Sequence, residues 1–543
     1  MRQKLFLSVV FIALLFSACA PAQANQHVLR FGWVGGPETY HPGLAELSET
    51  FSLMRLVYDT LYEYNLDGTF SLELAESVTV SDDGLVWTYK IRDGVKWHDG
   101  KPLTADDIVF TYRFYTAHQE FPYLPGYLSV LEDVRALPGN ILELTLVSPI
   151  SNLDALLFDL PILPAHIWSV LSFEEASTYE NAAMVGSGPF RFVGREGNVI
   201  RLEVFREHYL YKPEIDVLEF VSFDDEVQMV EALEKGEIDA VYQLSVSLVE
   251  RLENAPNIQV VTGAPAAPSV SDILINQISE NDCPLGSVCS GHPALRDRNV
   301  RLALAHATNK AEIIDKVMRG LGTPGLTLIP DGLGDFYNDQ IKDYAYDVAL
   351  ANQILDDFGY RDINGDGVRE MPGGGRPLIF RIAWDSDSPV GRPQSELLKA
   401  MWAQIGIDVT FEPKSPDELS AVCCPAFDYD LILWAWGSDP DPDFLLSVPT
   451  SSGIETGLNE TGYSNPIYDA LYEQQEIEPD HEKRRAIIWQ MQEILHRDVV
   501  YIIPYYDVQI QAFRTDKYTG WRTNDPLLSL ERLANLTSLK PIR

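Results

Sequence analysis

Basic residues are scarce: 41 Lys and Arg stand against 80 Asp and Glu in 543 residues, a formal net charge of −39. So polyanionic a surface repels phosphate backbones and anionic headgroups, which argues against nucleic acid and anionic lipid as partners. Beyond the N-terminal segment no stretch approaches roughly eighteen unbroken apolar residues, so no spanning helix is expected. G-x-S-x-G, H-E-x-x-H and the phosphate-cradling G-x-x-x-x-G-K-[ST] are all missing. Without a recognised catalytic constellation we expect neither an enzyme nor a cofactor. His98 beside Asp99, in "KWHDGKPLTADD", fits a tight turn and a capped helix better than a catalytic pair.

Cysteine is rare too, at five. Cys19 closes an N-terminal apolar run, "LFLSVVFIALLF", that follows Arg2 and Lys4 and precedes "SACAPAQA". These are the charged, apolar and small-residue regions of a secretory signal over residues 1–24. Two cleavage sites compete. "AQA" ending at Ala24 suits ordinary cleavage, whereas "FSAC" resembles a lipobox, with Phe16 where Leu is usual, and makes Cys19 an acylated first residue. We read Cys19 as lipidated, because a lone cysteine there has few other uses. Cys283 and Cys289 bracket "CPLGSVC", short enough to bridge locally. The adjacent Cys423 and Cys424 form either a vicinal disulfide or two half-bridges to the first pair. A zinc site lacks its short-spaced pairs and histidines.

The length exceeds what one hydrophobic core supports and predicts two or three domains. "HVLRFGW" alternates as a strand, and Phe51, Met54, Val57 and Leu61 recur at helical spacing behind Ser48 or Thr50. A β-pair is expected at "LELAESVTV" and "LVWTYKIR", and a helix opened by Thr104 follows. Residues 217–262 alternate strand and helix, and a second such block runs from "LIFRIAWD" to "YDLILWAWG". "VVYIIPYYDVQIQAF" is a long final strand region. The fold class is therefore α/β, in two lobes with a cleft between them.

"WAWGSDPDPDF" holds the least ordinary chemistry. Period two puts Asp430, Ile432, Trp434 and Trp436 on one strand face. Trp434 is expected in the core. Trp436, where the strand opens into a loop, is expected at the cleft. Pro440 and Pro442 extend the segment and spread Asp439, Asp441 and Asp443, which disfavours a metal cage. In "DINGDGVRE", Asp362, Asn364 and Asp366 sit where the first half of a calcium loop wants them. The twelfth position is Gly373 rather than Glu, however, so we read the stretch as a connector.

Several of these stretches, taken in order, resemble the extracellular family 5 solute-binding proteins of bacterial ABC importers. The densest is "RDGVKWHDGKPLTADD"; "ILPAHIW", "VGSGPFRF", "EALEKGEIDAV", "LRDRNVRLALAHATNKAEII" and "YDLILWAWGSDPDP" follow. The resemblance implies a two-lobed periplasmic-binding-protein fold of the large three-domain variety. Domain I would comprise 26–70, 186–272 and 505–543, domain II 71–185, and domain III 273–504, with a hinge at the crossovers near 272 and 505. It also implies a monomer, exported to the periplasm or anchored by lipid to the outer face of the membrane, that delivers peptides to a membrane-bound ABC permease. Oligosaccharide and nickel-complex binding are the alternatives within the fold; a ligand sensor or other interaction protein is the alternative outside transport. In the family's peptide binders an aspartate three residues after such a tryptophan holds the ligand's α-amine. Asp439 matches that position, with "S-D-P" replacing "A-D-Y", and Ser438 stands beside it. Asn276, Ser187, and Glu38 and Tyr40 of "GGPETYHP" are further contact candidates.

Overall fold

A computed structural model of the protein describes residues 26–542, so the signal segment and Cys19 lie outside the described residues. No described helix is long and apolar enough to cross a membrane.

Two large sheets form the two lobes of a mixed α/β molecule. The first has eight strands, in the order Leu527–Leu528, Ile258–Pro265, Gln509–Arg514, Ala240–Val241, Val28–Val34, Val217–Phe223, Val199–Val204 and Phe190–Glu196. Val28–Val34 lies parallel between Val217–Phe223 and Ala240–Val241, and both its faces are covered. Leu29, Phe31 and Trp33 face one core. On the other side Gly32 admits Met229 and Ile238, and a Cβ there would meet Ile238 at 2.5 Å. The helix behind it, Glu226–Lys235, starts where Asp225 accepts the Gln228 N–H and stops at Gly236 in the left-handed region.

A four-stranded antiparallel sheet, Ala75–Val80, Val86–Ile91, Ile141–Leu146 and Leu131–Leu137, packs into the same core as Leu29 and Phe31. The expected β-pair is its first half. Helix Ala105–Ala117 covers it, opened by a capping box between Thr104 and Asp107. His98 clips this region to the next. Its Nδ1 accepts from the Gly186 N–H (3.3 Å), and its Nε2 lies 2.9 Å from the Gly188 carbonyl. Burial lowers its pKa to about 4, keeping it neutral in this architectural role.

The second large sheet has six strands, ordered Thr323–Pro324, Tyr501–Tyr506, Ser269–Ile275, Leu431–Gly437, Ile379–Asp385 and Asp408–Lys414. Ile432, Trp434 and Trp436 face one cluster, Leu431 and Leu433 the other, as period two predicts.

The chain passes between the large sheets twice, through Ala266–Pro268 and through Asp507–Val508. The Ser269 hydroxyl donates to Asp507 (2.8 Å) and joins the two crossings. "VVYIIPYYDVQIQAF" is thus not one strand region but two strands in different sheets. The early helix, Ser48–Val57, also ends sooner than its spacing predicted, and Phe51 is only half-buried.

Cys283 and Cys289 form a disulfide (S–S 2.07 Å), whereas Cys423 and Cys424 remain thiols. The expected bridge at the second pair is not formed. The first pair is satisfied locally, and the helix Pro416–Cys423 ends between the other two, leaving Cys423 in the core and Cys424 on extended chain.

Candidate ligand-binding cleft

Where the two lobes face one another the structure encloses a cavity of about 380 Å³. Its floor is one stripe of helix Ser48–Val57, namely Ser48, Phe51, Ser52 and Arg55, joined by Tyr242 and by Ser529–Arg532 near the C-terminus. Pro265–Ala267 of the first crossing and Gln509 after the second form the back. Ser438–Pro440, from the other lobe, closes the rim. A further interlobe cavity of about 580 Å³ shares Gln243, Pro265, Ala267 and Gln509 with it, so the cleft continues along the crossing strands.

Asp439 lines the cavity, still accessible to solvent through it. The surrounding walls, and then the carboxylates of Asp159, Asp441 and Asp443, hold its pKa above the ordinary aspartate value. A carboxylate so crowded by its own kind gains from a cation. The other two acids of the stretch are occupied. Asp441 makes a buried bidentate pair with Arg484, which Gln475 also contacts. Asp443 accepts from Gln475 Nε2 at 2.6 Å. The proline-spaced carboxylates therefore serve three separate tasks and form no cage.

Ser438 does reach the cavity wall, but its N–H and hydroxyl both donate to the Pro268 carbonyl (2.8 and 2.7 Å). It ties the end of strand Leu431–Gly437 to the crossing. Across the rim, the Ser151 N–H donates to the Glu476 carbonyl (2.9 Å) and Asn152 reaches Asp441 (3.4 Å), so the lobes touch directly.

The remaining expected contact residues lie elsewhere. Trp436 does not line this cavity: its indole N–H donates to the buried Glu460 (2.8 Å), and its ring packs edge-on to Phe444. Strand alternation turned it inward with Trp434. Trp434 lines a separate cavity of about 330 Å³ within its own lobe, beside Trp384 and Tyr505. Asn276 is buried, with its amide donating to the carbonyls of Phe427 (3.0 Å) and Tyr429 (2.8 Å). Ser187 is buried in a turn whose flanking glycines touch Val57, where a Cβ on Gly186 would lie 1.9 Å from the carbonyl oxygen. Glu38 accepts the N–H groups of Glu46 (2.6 Å) and Leu47 (3.1 Å) and the Thr50 hydroxyl, anchoring the start of the cleft helix. Burial alone would raise its pKa, but these donors outweigh that and lower it. Tyr40 packs on Phe192. Asn276 and Glu38 are thus consumed by the scaffold, Ser187 is buried in it, and the Tyr40 hydroxyl is buried without a partner among the described residues.

In "DINGDGVRE", Asp362, Asp366 and Glu370 bring carboxylate oxygens within 4.8 Å of one another. Glu370, not position 373, supplies the third acid, and Asn364 bonds to both Asp366 and Glu370. The Asp362 carboxylate accepts from Gly365 and Gly367, as in a connector turn.

A family model described as bacterial extracellular solute-binding proteins, family 5, middle region, matches residues 69–456. The chain belongs to this family. Its curated relatives include the oligopeptide-binding protein AppA of Bacillus subtilis, 25% identical over 509 residues (90% of this chain, 88% of the relative). The dipeptide-binding protein of Escherichia coli is 26% identical over 500 residues (85% and 86%). Heme-binding protein A of Haemophilus influenzae is 27% identical over 483 residues (82% and 81%). Among solved structures, the ABC transporter substrate-binding protein CtaP of Listeria monocytogenes superposes with a TM-score of 0.78 at 25% identity, over 95% of this chain and 99% of that one. Family 5 proteins are binding proteins rather than enzymes, and this member has the family's two-lobed fold.

Sequence reasoning missed Arg55, Asp159 and Arg532. The one available signal was the stripe Ser48, Ser52 and Arg55 on the early helix, opposite its apolar face.

Proposed function

We propose that this family 5 protein captures peptides in the interlobe cleft and delivers them to a membrane-bound ABC permease from outside the cytoplasm. The observation that carries the reading is the charged interlobe cavity with Asp439 on its rim, unmatched by any cation among the described residues. A peptide's α-amine supplies the missing charge. The oligopeptide- and dipeptide-binding relatives point the same way. The lobes would move about the two crossings, with domain I (26–70, 186–272, 505–543), domain II (71–185) and domain III (273–504) as units, so that capture is a hinge-type population shift. The protein would act as a monomer, anchored through an acylated Cys19.

A calorimetric double cycle tests it: wild type and Asp439→Asn, each against a free and an N-acetylated tripeptide. Losing one partner of a buried charge pair costs about 2–5 kcal/mol. The two losses should not add, because each removes the same pairing. Additive losses would detach Asp439 from the amine, and equal affinities throughout would refute the site.

A further inference from the structure

The interlobe cavity is lopsided in charge. Glu46, Asp159, Asp439 and Glu531 line it together with Arg55 and Arg532, a formal excess of two negative charges. The four carboxylates differ in what they already hold. Asp159 accepts two parallel bonds from Arg55 (2.9 and 2.8 Å), and Glu531 accepts from Gln511 (2.8 Å) and from the Ser529 hydroxyl. The Asp439 and Glu46 carboxylates accept no hydrogen bond and pair with no cation among the described residues. The Glu46 N–H donates to Glu38 at 2.6 Å, which fixes its backbone, while its side chain stands exposed in the cavity. These two free acids come from opposite lobes: Glu46 precedes the cleft helix Ser48–Val57, and Asp439 follows strand Leu431–Gly437. The adjoining interlobe cavity does not correct the imbalance, because its only charged lining residues, Asp507 and Arg319, formally cancel.

We propose that the cleft selects peptides with a cationic side chain, lysine or arginine, and that Glu46 is the acid that meets it. The inference rests on the peptide reading of the cleft and adds a second positive charge to the ligand. An α-amine matches one acid, Asp439, and an uncharged side chain then leaves Glu46 bare in a space walled by protein. Clefts lined by one sign of charge concentrate the field between low-dielectric walls, so the residual charge acts more strongly there than on an open surface. Closure sharpens the effect. Burial, and then Asp159 on the facing lobe, already hold the Asp439 pKa up. Bringing the lobes together crowds like charges, and a second cation on the ligand offsets that cost. The half-buried ring of Phe51 lines the same cavity and gives a long methylene stem an apolar surface beneath its charged tip. An acidic side chain meets the same excess with the wrong sign.

The test titrates Lys-Ala and Ala-Lys, each beside its norleucine counterpart, Nle-Ala and Ala-Nle, calorimetrically into wild type and Glu46→Gln at low salt. Norleucine keeps the stem and removes the charge. In wild type the lysine peptide of at least one pair should bind about 5- to 30-fold tighter, between the scale of an exposed ion pair and that of a desolvated one. Glu46→Gln should bring that pair to within about twofold by weakening the lysine probe. Its melting temperature should match wild type, since the replaced carboxylate holds nothing in the scaffold. Equal binding of lysine and norleucine in both pairs by wild type, or a lysine preference undiminished in Glu46→Gln, overturns the charge selection and leaves the peptide reading standing. Failure of all four probes to bind wild type overturns both.

Discussion

Glu460 gives the sharpest stability prediction. It is buried at 1% exposure beneath strand Leu431–Gly437, accepts the Trp436 indole N–H, and keeps its other oxygen without a partner among the described residues. Asp272, equally buried, leaves both carboxylate oxygens unpartnered, and its pKa is raised by burial and then by Glu460. Tyr429, Tyr501 and Cys423 also face the pair, and all have raised pKa values that keep them neutral near pH 7. Burial, opposed by the bond from Trp436, pushes Glu460 from 4.5 up to about 7. The folded protein therefore holds a proton between pH 4.5 and about 7 that the unfolded chain has released. Stability falls with rising pH wherever the folded state binds more protons. This contribution is complete below about pH 4.5 and lost by pH 8, a change of about 3 kcal/mol at 1.36 kcal/mol per unit. Glu460→Gln keeps the acceptor for Trp436 and is neutral at every pH. Its urea-unfolding free energy should match wild type near pH 4 and exceed it by up to about 3 kcal/mol at pH 8. Asp272→Asn should act in the same direction without adding fully, since the carboxylates titrate as a pair. Parallel curves for wild type and Glu460→Gln from pH 5 to 8, or a less stable variant at pH 8, would refute the reasoning.

The Asp441–Arg484 pair beside the cleft is almost wholly desolvated, so Asp441→Asn should cost about 3–5 kcal/mol of unfolding free energy by leaving a buried guanidinium unmatched; an unchanged midpoint would show that water reaches it. Ligand-driven closure about Ala266–Pro268 and Asp507–Val508 should reduce the radius of gyration in small-angle scattering and, at a hundredfold excess over Kd, add about 2.7 kcal/mol of stability. An unchanged radius at saturation would remove the hinge from the mechanism.

What the sequence disclosed followed the range of the forces involved. Strand Leu431–Gly437 and the capped helix after Thr104 are specified by neighbours two to four residues away, and both were legible. The break inside residues 501–514 was not. Asp507 is a lone turn-capable residue without Gly or Pro beside it, and the chain changes sheets there because two separate partners, Ser269–Ile275 and Ile258–Pro265, each claim half of it. Polar residues misled for a related reason. Asn276, Ser187 and Glu38 look the same in sequence whether they await a ligand or satisfy backbone groups, and buried backbone groups are far more numerous than ligands.

Arg532 shows the limit most clearly. Its neighbours in a small pocket beside the cleft include Arg55 and Glu63, more than four hundred residues earlier, and no local pattern joins the two ends of the chain. In sequence, "LERLAN" is one more amphipathic segment whose arginine belongs in solvent. Folding changes its meaning, because the C-terminal segment pairs Leu527–Leu528 with Ile258–Pro265, next to the first crossing. That pairing sets Ser529, Glu531 and Arg532 on the cleft floor. The same strand runs into the first crossing, Ala266–Pro268. On the peptide reading, a ligand that touches both this floor and Asp439 bridges the lobes and favours the closed state by its differential contacts.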